Sequence, residues 1–412
     1  MIDIRAARHE PERFRAALAR KGAAELFDEL LTVDARWREL ETRVTELRAQ
    51  TRPKGKPSAE QLEQLRVVKD ELRRAEEEHA ACGRRRKELL DRVPNPPAED
   101  TPDGASEDDA VEVDRWGDGA SSVPLDHLDL GVAQGWIDVE RAAKVSGSRF
   151  VYRKGDFALL ELSLYRFALD RLVQKGFVPV LPPVLVREQA MYGTGFLPTE
   201  ETNIYGVERD ELYLVGTSEV PLAAMHAGEI FEEESLPLRY AGYSVCFRRE
   251  AGAAGKDTRG MFRVHQFDKV EMFVFTRPED SRDEHEHLLA IERELVEDLG
   301  LPYRIVNVAA GDLGASATKK YDIEAWFPSQ GRYREITSTS NTTDYQARRL
   351  DVRFRREGKP EHVHTLNGTA VTARALIAIV ENFQLDDGSV AVPETLVEMG
   401  APRRLGAETT RA

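Results

Sequence analysis

Residues 247–262 read FRREAGAAGKDTRGMF, a glycine-rich loop fenced by Arg248, Arg249 and Arg259. With Gly255 and Lys256 inside it, the loop has the composition to cradle phosphates. The P-loop pattern also needs glycine at 250 and serine or threonine at 257. Those positions hold Glu250 and Asp257, so the loop is not a P-loop and must meet phosphate in another way. Downstream, Arg263, Phe267 and Glu271 follow at intervals of four, which on a strand places all three on one face. Arg248 and Glu250 likewise share a face of the incoming strand. Arginine suits forked contacts to phosphate or carboxylate oxygens, and a phenylalanine can offer its ring to a purine. Charges on a sheet face are costly unless paired or engaged by a ligand.

Other stretches carry chemistry of the same kind. GTSE puts Thr217 and Glu219 on one strand face, and REITSTSN supplies Glu335 with hydroxyls at 337–340. TLNGTAVTARALIAIVENFQ reads as strand, turn and helix, with Arg374 in the helix's first turns. For each of these the plain alternative is a set of charges pairing with one another on a solvated sheet. HEH at 285–287 has a metal-like look, but its run RPEDSRDEHEHLLAIERE reads as a solvated helix face. His265 shares the face of Arg263 and Phe267, and local packing or bonding suits it better than a role as base.

The elements that must position these residues follow from periodicity. Short β-patterned runs (ELYLVGTSEV, YSVCFRRE, MFRVHQFDKVEMFVF, YREITSTS) alternate with amphipathic helices at 156–175, 278–299 and 371–384. Strands joined by short turns predict a mainly antiparallel sheet with helices packed on it, an α+β domain. The first hundred residues differ. Leu30, Val33, Trp37, Leu40, Val44 and Leu47 recur at steps of three and four, and after TRPKGKPS the pattern resumes with Leu65, Val68, Leu72, Ala75, His79, Cys82, Arg86 and Leu89. Two heptad-patterned helices around a Pro/Gly turn predict an antiparallel helical hairpin, an arm spanning 23–92. Residues 30–92 hold 16 Lys+Arg against 13 Asp+Glu, in a chain whose formal charge is −15. A locally basic arm, with Arg52, Lys54 and Lys56 at its turn, suits a polyanion; an ordinary solvated coiled coil is the alternative. VPNPP closes this first domain at 97, and residues 98–114, with eight acids and no base, read as an acidic linker. The domain at 115–400 and a polar tail at 401–412 complete the expected organisation.

Composition bounds the rest. An acidic protein of 412 residues binds nucleic acid only through a local basic patch. Cys82 and Cys246 stand far apart, which fits a reducing compartment and offers no cysteine-rich metal framework. No apolar run approaches the ~20 residues a membrane helix needs, so no membrane partner is expected. The N-terminal MIDIRAARHEPERF lacks the apolar core of a signal peptide. A cytoplasmic location is expected.

Together these motifs resemble a known family. CFRREAGAAGKDTRGMFRVHQFDKVE is similar to motif 2 of class II aminoacyl-tRNA synthetases in its seryl form, NGTAVTARALIAIVENFQ to motif 3, and GFVPVLPPVLV to the motif 1 segment of the dimer interface. MYGTGFLP, YLVGTSEVPLA, REITSTSNTTDYQARR, KVSGSRFVY and VPNPP are also seryl-type signatures. The resemblance implies an antiparallel class II sheet flanked by helices, with an N-terminal antiparallel coiled-coil arm. It implies a ligase that activates L-serine with ATP and passes serine to the 3′ end of tRNA-Ser, as a homodimer with tRNA bound across subunits. Carried over by motif, Arg248 and Arg374 would be catalytic. Arg248, Arg249, Glu250, Arg263, Val264, Phe267, Glu335, Ile336, Thr337, Ser338 and Arg374 would meet ATP. Thr217, Ser218, Glu219, Arg248, Glu271, Asn367 and Thr369 would meet serine, and Arg52, Lys54 and Lys56 would meet tRNA. Glu335 and Ser338 would hold Mg²⁺. No zinc is expected, since a zinc-dependent seryl type binds its metal through cysteine. The arm is shorter than usual and its tip, RPKGKP, departs from the family's. That departure keeps a copy dedicated to another pathway, or resistant to an inhibitor, as an alternative. A non-catalytic regulatory paralogue is the alternative of another class.

Overall fold

The computed structural model describes residues 1–51, 58–119, 123, 125–251, 257 and 259–406. The arm turn with Arg52, Lys54 and Lys56, and the loop residues Gly255 and Lys256, lie outside the described residues. The chain forms two compact units, Met1–Pro97 and Ala98–Ala412. No helix among the described residues is long and apolar enough to cross a membrane.

In the first unit, helices α1 (Ile4–His9) and α2 (Pro11–Ala19) precede two long helices, α3 (Ala24–Gln50) and α4 (Ala59–Arg92). Ser58 starts α4 with a capping box, accepting from the Gln61 backbone at 3.2 Å while its own N–H donates to the Gln61 side chain at 2.8 Å. The two long helices run antiparallel. Glu29 meets Arg85 at 2.6 Å and Arg36 meets Glu78 at 3.3 Å, with Arg43 bonded to Glu71 farther along. Leu30, Leu40, Val44 and Leu47 of the predicted stripe are buried against Ala75 and Leu89.

Two members of the predicted stripe, Trp37 and Arg86, belong to a polar cluster around a residue the periodicity did not announce. Asp34 is fully buried and accepts from Arg86 at 2.6 Å and from Arg8 twice at 2.7 Å. The Arg86 guanidinium also lies 4.7 Å from the Trp37 ring centroid, and Trp37 stacks on His79. Burial opposes ionisation of Asp34, but the two arginines hold its carboxyl below the usual range. Asp34→Ala leaves the Arg8 and Arg86 guanidinium groups, and that of Arg38 at 3.3 Å, without their shared anion, so it should lower unfolding stability by about 2 kcal/mol. Denaturant unfolding followed by helical circular dichroism checks this; an unchanged midpoint would make the cluster ornamental.

Among the described residues of the second unit, eight strands form the main sheet: β1 (Val111–Trp116), β2 (Val178–Val180), β3 (Leu238–Phe247), β4 (Gln266–Thr276), β5 (Tyr303–Asn307), β6 (Lys319–Phe327), β7 (Arg332–Thr343) and β8 (His364–Thr372). Their order is β1-β5-β6-β7-β8-β4-β3-β2. Every pairing is antiparallel except that of β2 with β3. Helices α5 (Asp156–Gln174), α6 (Glu219–Ala224), α7 (Ser281–Asp298), α8 (Tyr345–Leu350) and α9 (Ala373–Asn382) complete what the site needs. Phe157, Leu160 and Leu164 of α5, Leu288, Ile291 and Leu295 of α7 and Leu376 and Ile379 of α9 join Val270, Met272 and Ile323 in one apolar core. The α+β class and the antiparallel sheet are as expected.

Several expectations are corrected. The stretch 98–114 is not a linker. Ala98 N–H donates to Thr318 O at 2.9 Å, Ala310 N–H to Pro102 O at 2.8 Å, and β1 pairs with β5 as an edge strand. Two of its acids meet cations of neighbouring elements: Asp100 pairs with Lys319 of β6 at 2.7 Å and Asp114 with Arg293 of α7 at 3.0 Å. The expected tail is packed up to 406, with Leu405 paired to Val390 and buried in the core. His285 does not sit on a solvated face. It is buried on the inner side of α7, its Nε2 3.0 Å from Thr339 O.

Candidate active site

A cleft of about 320 Å³ opens over β4, β7 and β8, and each element delivers its side chains for a definable reason. Alternation along β4 presents Phe267, Lys269 and Glu271 to the cleft. Along β8 it presents Asn367 and Thr369. Register then shifts, Val371 facing Val270 and Thr369 facing Glu271, so Ala370 is an extra residue in β8 and Thr372 joins the same side. Thr372 caps α9 by accepting from the Arg374 N–H at 3.2 Å, which sets Arg374 at the cleft edge. A second bulge acts on β7. Glu335 faces Glu324 and Thr337 faces Ile323, leaving Ile336 as the extra residue. Simple alternation would send Glu335 to the side of Thr337. The bulge turns it to the side of Ser338, so Glu335, Ile336 and Ser338 all line the cleft.

The strand expectations for the glycine-rich hairpin and for GTSE are corrected. β3 ends at Phe247 and β4 begins at Gln266, so Arg248, Glu250 and Arg263 lie on the connecting loop, not on strand faces. Glu250 has φ of +51°, a left-handed residue rather than an extended one. Its loop still places Arg248, Glu250, Arg263 and Val264 along the cleft. Thr217 and Glu219 do not share a strand. The strand ends at Leu214, and Glu219 opens α6, its N–H bonded to Thr217 Oγ1 at 3.2 Å. Both line the cleft.

Three of the motif-derived residues turn elsewhere. The Arg249 side chain bonds Ile204 O at 2.8 Å and lies over the Tyr205 ring. Thr337 points to the helix side, donating to Glu292 of α7 at 3.0 Å. Ser218 is buried and donates to Gly242 O at 3.1 Å. His265 bonds locally, with Nδ1 2.9 Å from Arg248 O. Sequence reasoning passed over Lys269 and Lys320, both of which line the cleft. The alternation that found Phe267 and Glu271 also contains Lys269, so that signal was present.

The cleft is electrically divided. At one end are cations. Arg263 bonds Glu250 at 3.1 Å and Asp257 at 3.2 Å, and Arg374 bonds the Glu335 carboxylate at 3.1 Å and its backbone carbonyl at 3.0 Å. The Arg248 guanidinium sits 5.3 Å from the Phe267 ring centroid, its Nε donating to Gly216 O at 3.2 Å. Burial works against a charged Glu335, yet Lys320 and Arg374 hold its carboxyl below the ordinary range. At the other end are carboxylates. Burial, reinforced by Glu271, pushes the Glu219 carboxyl up to about 7. Burial also raises Glu271, against the pull of Lys269, to which it is paired. Such a cleft can hold a polyanion beside a small amine, the two meeting near Arg248.

Among the described residues, no group of three or more His, Cys, Asp or Glu side chains could hold a metal. Glu335 and Ser338 offer a charged carboxylate and a hydroxyl on one cleft wall. That donor set fits a hard cation that completes its shell with phosphate oxygens and water.

Comparison with known proteins places this chain in a family. The family model for the seryl-tRNA synthetase N-terminal domain matches residues 1–97, and that for the tRNA synthetase class II core domain (G, H, P, S and T) matches residues 205–383. Serine–tRNA ligase of Thermobifida fusca is 51% identical over 408 residues, 96% of each chain. Serine–tRNA ligase 1 of Streptomyces avermitilis is 50% identical over 411 residues, again 96% of each. A solved seryl-tRNA synthetase from Pyrococcus horikoshii complexed with ATP matches with a TM-score of 0.91 at 41% identity, over 98% of this chain and 99% of that one.

Proposed function

The chain belongs to the seryl-tRNA synthetase family, and from that premise we propose how its own residues carry out serine–tRNA ligation. The reaction has two steps. The serine carboxylate attacks the α-phosphorus of ATP, giving seryl-adenylate and pyrophosphate, and a hydroxyl at the 3′ end of tRNA-Ser then attacks the seryl carbonyl, releasing AMP. The observation that carries the assignment of roles is the divided cleft, with Arg263 and Arg374 toward one end, Glu219 and Glu271 toward the other, and Arg248 acting on both Glu335 and Glu271.

Arg248 lies between those ends and contacts the α-phosphate, meeting the charge that builds up on it during in-line displacement. Phe267 supports the adenine and Glu250 the adenosine, while Arg263 and Arg374 neutralise the triphosphate tail. Val264 and Ile336 line the nucleotide site. Arg249 and Thr337 serve it through their backbone and by fixing β7, since their side chains turn away. Glu335 and Ser338 hold Mg²⁺, which when bound neutralises phosphate oxygens. Glu219, Glu271 and Thr217 receive the serine ammonium and hydroxyl, with Asn367 and Thr369 beside them and Ser218 fixing the turn that carries Glu219. A pocket that hydrogen-bonds a hydroxyl disfavours alanine, whose binding leaves those groups unpaired.

The working form is a homodimer with tRNA bound across subunits, in the cytoplasm. The dimer reading is supported by an exposed apolar set on α5 and the following strand region: Leu159, Leu162, Val178 and Leu181, the last 80% exposed. Free Cys82 and Cys246 suit a reducing compartment. The testing experiment is transfer of labelled serine by the purified protein to tRNA that includes serine acceptors, with ATP and Mg²⁺. Efficient charging is expected; none from well-folded protein would overturn the reading.

The serine end also implies a pH dependence. Glu219 raised to about 7 is protonated below that pH and no longer attracts the substrate ammonium. Serine KM should therefore rise as pH falls through about 7, by up to about tenfold per unit, and level off above about 8. A flat profile from pH 6 to 8 would remove Glu219 from the amine contact. The sign for stability is opposite. The folded state holds the Glu219 proton more tightly than the unfolded chain, so this group favours folding most at low pH and loses that contribution as pH rises through about 7.

A further inference from the structure

Beneath the amine end of the cleft lies a buried amide that no motif singled out. Gln346, on the short helix α8, is fully buried. Its Nε2 donates to the Glu219 carboxylate oxygen Oε1 at 2.7 Å and to the Thr194 backbone carbonyl at 3.2 Å. Its Oε1 accepts from the Thr365 hydroxyl at 2.9 Å, with the Thr342 hydroxyl at 3.5 Å. The Thr194 carbonyl can only accept, so the amide cannot be flipped without setting two acceptors against each other. Thr342 is fixed in turn, donating to Thr365 O at 2.7 Å. The Thr342 and Thr365 hydroxyls also lie 2.6 Å apart, so a continuous chain of hydrogen-bonding groups runs from the β7–β8 junction to one carboxylate oxygen.

Glu219 Oε1 also accepts from Asn367 Nδ2 at 3.1 Å. Both amide donors therefore take the same oxygen and leave Oε2 free of either, on a residue that lines the cleft. Two amides on one carboxylate oxygen anchor that oxygen and restrict the side chain's rotamer. The two amides bond best to the ionised form.

We propose that Gln346 is the positioning residue of the amine subsite: it touches no substrate, but it fixes the Glu219 carboxylate so that one oxygen faces the serine ammonium. The inference rests on the reading of Glu219 as an ammonium contact. The groups facing Glu219 are Gln346 and Asn367 by hydrogen bond, Glu271 and Lys269 on β4, and Glu200. Of these, Gln346 and Lys269 favour the charged form, whereas burial, Glu271 and Glu200 oppose it. Without the amide, serine should meet a misdirected carboxyl that ionises only at higher pH.

The test compares Gln346→Met, which keeps length but removes both donors and the acceptor, with wild type and with Glu219→Gln. Steady-state ATP–pyrophosphate exchange is measured against L-serine and ATP from pH 6 to 9. Gln346→Met should raise serine KM roughly 10- to 100-fold with ATP KM within about twofold, and move the pH at which serine KM turns upward to higher values. In the Glu219→Gln background the same change should add less than about twofold, because the amide acts through the carboxylate. If Glu219→Gln leaves serine KM unaltered, the ammonium reading fails. If Glu219→Gln raises it but Gln346→Met leaves both serine KM and its pH profile at wild type, the positioning role is overturned. Should Gln346→Met not fold, Thr365→Val, which removes the donor to the far side of the amide, carries the test. A several-fold rise in serine KM supports the role, and an unchanged value with an unchanged pH profile refutes it.

Discussion

Replacing Arg248 with alanine should lower serine-dependent ATP–pyrophosphate exchange by about 10²- to 10³-fold while leaving the fold intact. The magnitude is that of removing one donor aimed at charge developing in a transition state. The fold should survive because the side chain is spent on little else: one bond to the Gly216 carbonyl and a ring contact with Phe267. Lysine at this position should recover only part of the rate, since a point charge cannot reproduce the planar fork. The decisive comparison is exchange activity against thermal midpoint in the same preparation. Exchange within about threefold of wild type, in folded protein, would take Arg248 out of the chemistry.

Glu335→Gln should be the next most damaging change, with exchange about 100-fold lower and the Mg²⁺ concentration for half-maximal ATP binding raised about tenfold. Glutamine keeps the size but removes the charge. Arg374 loses its anionic partner at 3.1 Å while keeping the backbone carbonyl at 3.0 Å, and a hard cation loses its charged donor. Titrating Mg²⁺ against nucleotide binding, separately from turnover, distinguishes these effects. An unaltered Mg²⁺ dependence with lowered activity would mean that Glu335 serves Arg374 alone. Neither effect is expected for Asp34→Ala, whose cost falls on the stability of the first unit.

Much of this architecture was readable because local chemistry and periodicity agreed. The heptad stripe from Leu30 to Leu47 includes the buried Leu30, Leu40, Val44 and Leu47, and the β-patterned run YSVCFRRE falls on β3 through Phe247. Helices expected at 156–175, 278–299 and 371–384 appear at 156–174, 281–298 and 373–382. The failures have physical causes. Acidity made 98–114 look unfolded, but charges on an exposed edge strand cost little when Lys319 and Arg293 face them. His285 looked solvated beside its charged neighbours, yet one helix position in three or four faces inward, and it found the Thr339 carbonyl. Asp34 escaped notice because a buried carboxylate is tolerable only with close partners, and although Arg38 is four residues away at 3.3 Å, the two shortest contacts come from Arg8 and Arg86, 26 and 52 residues away.

By itself the sequence determined the α+β class, the helical hairpin, the class of ligand and most of the residues that line the cleft. Residue type settles those matters, because arginines, carboxylates and hydroxyls keep their chemistry wherever the chain carries them. The tertiary structure alone decided which way each points. Period-two alternation cannot bring Glu335 and Ser338 to one wall, and it cannot add Thr372 to Thr369; one extra residue in β7 and another in β8 do both. Bulges of this kind arise from the pairing of two distant strands, so neither strand's own pattern reveals them. The same holds for Gln346, ordinary in its local sequence and 127 residues from the Glu219 carboxylate it holds.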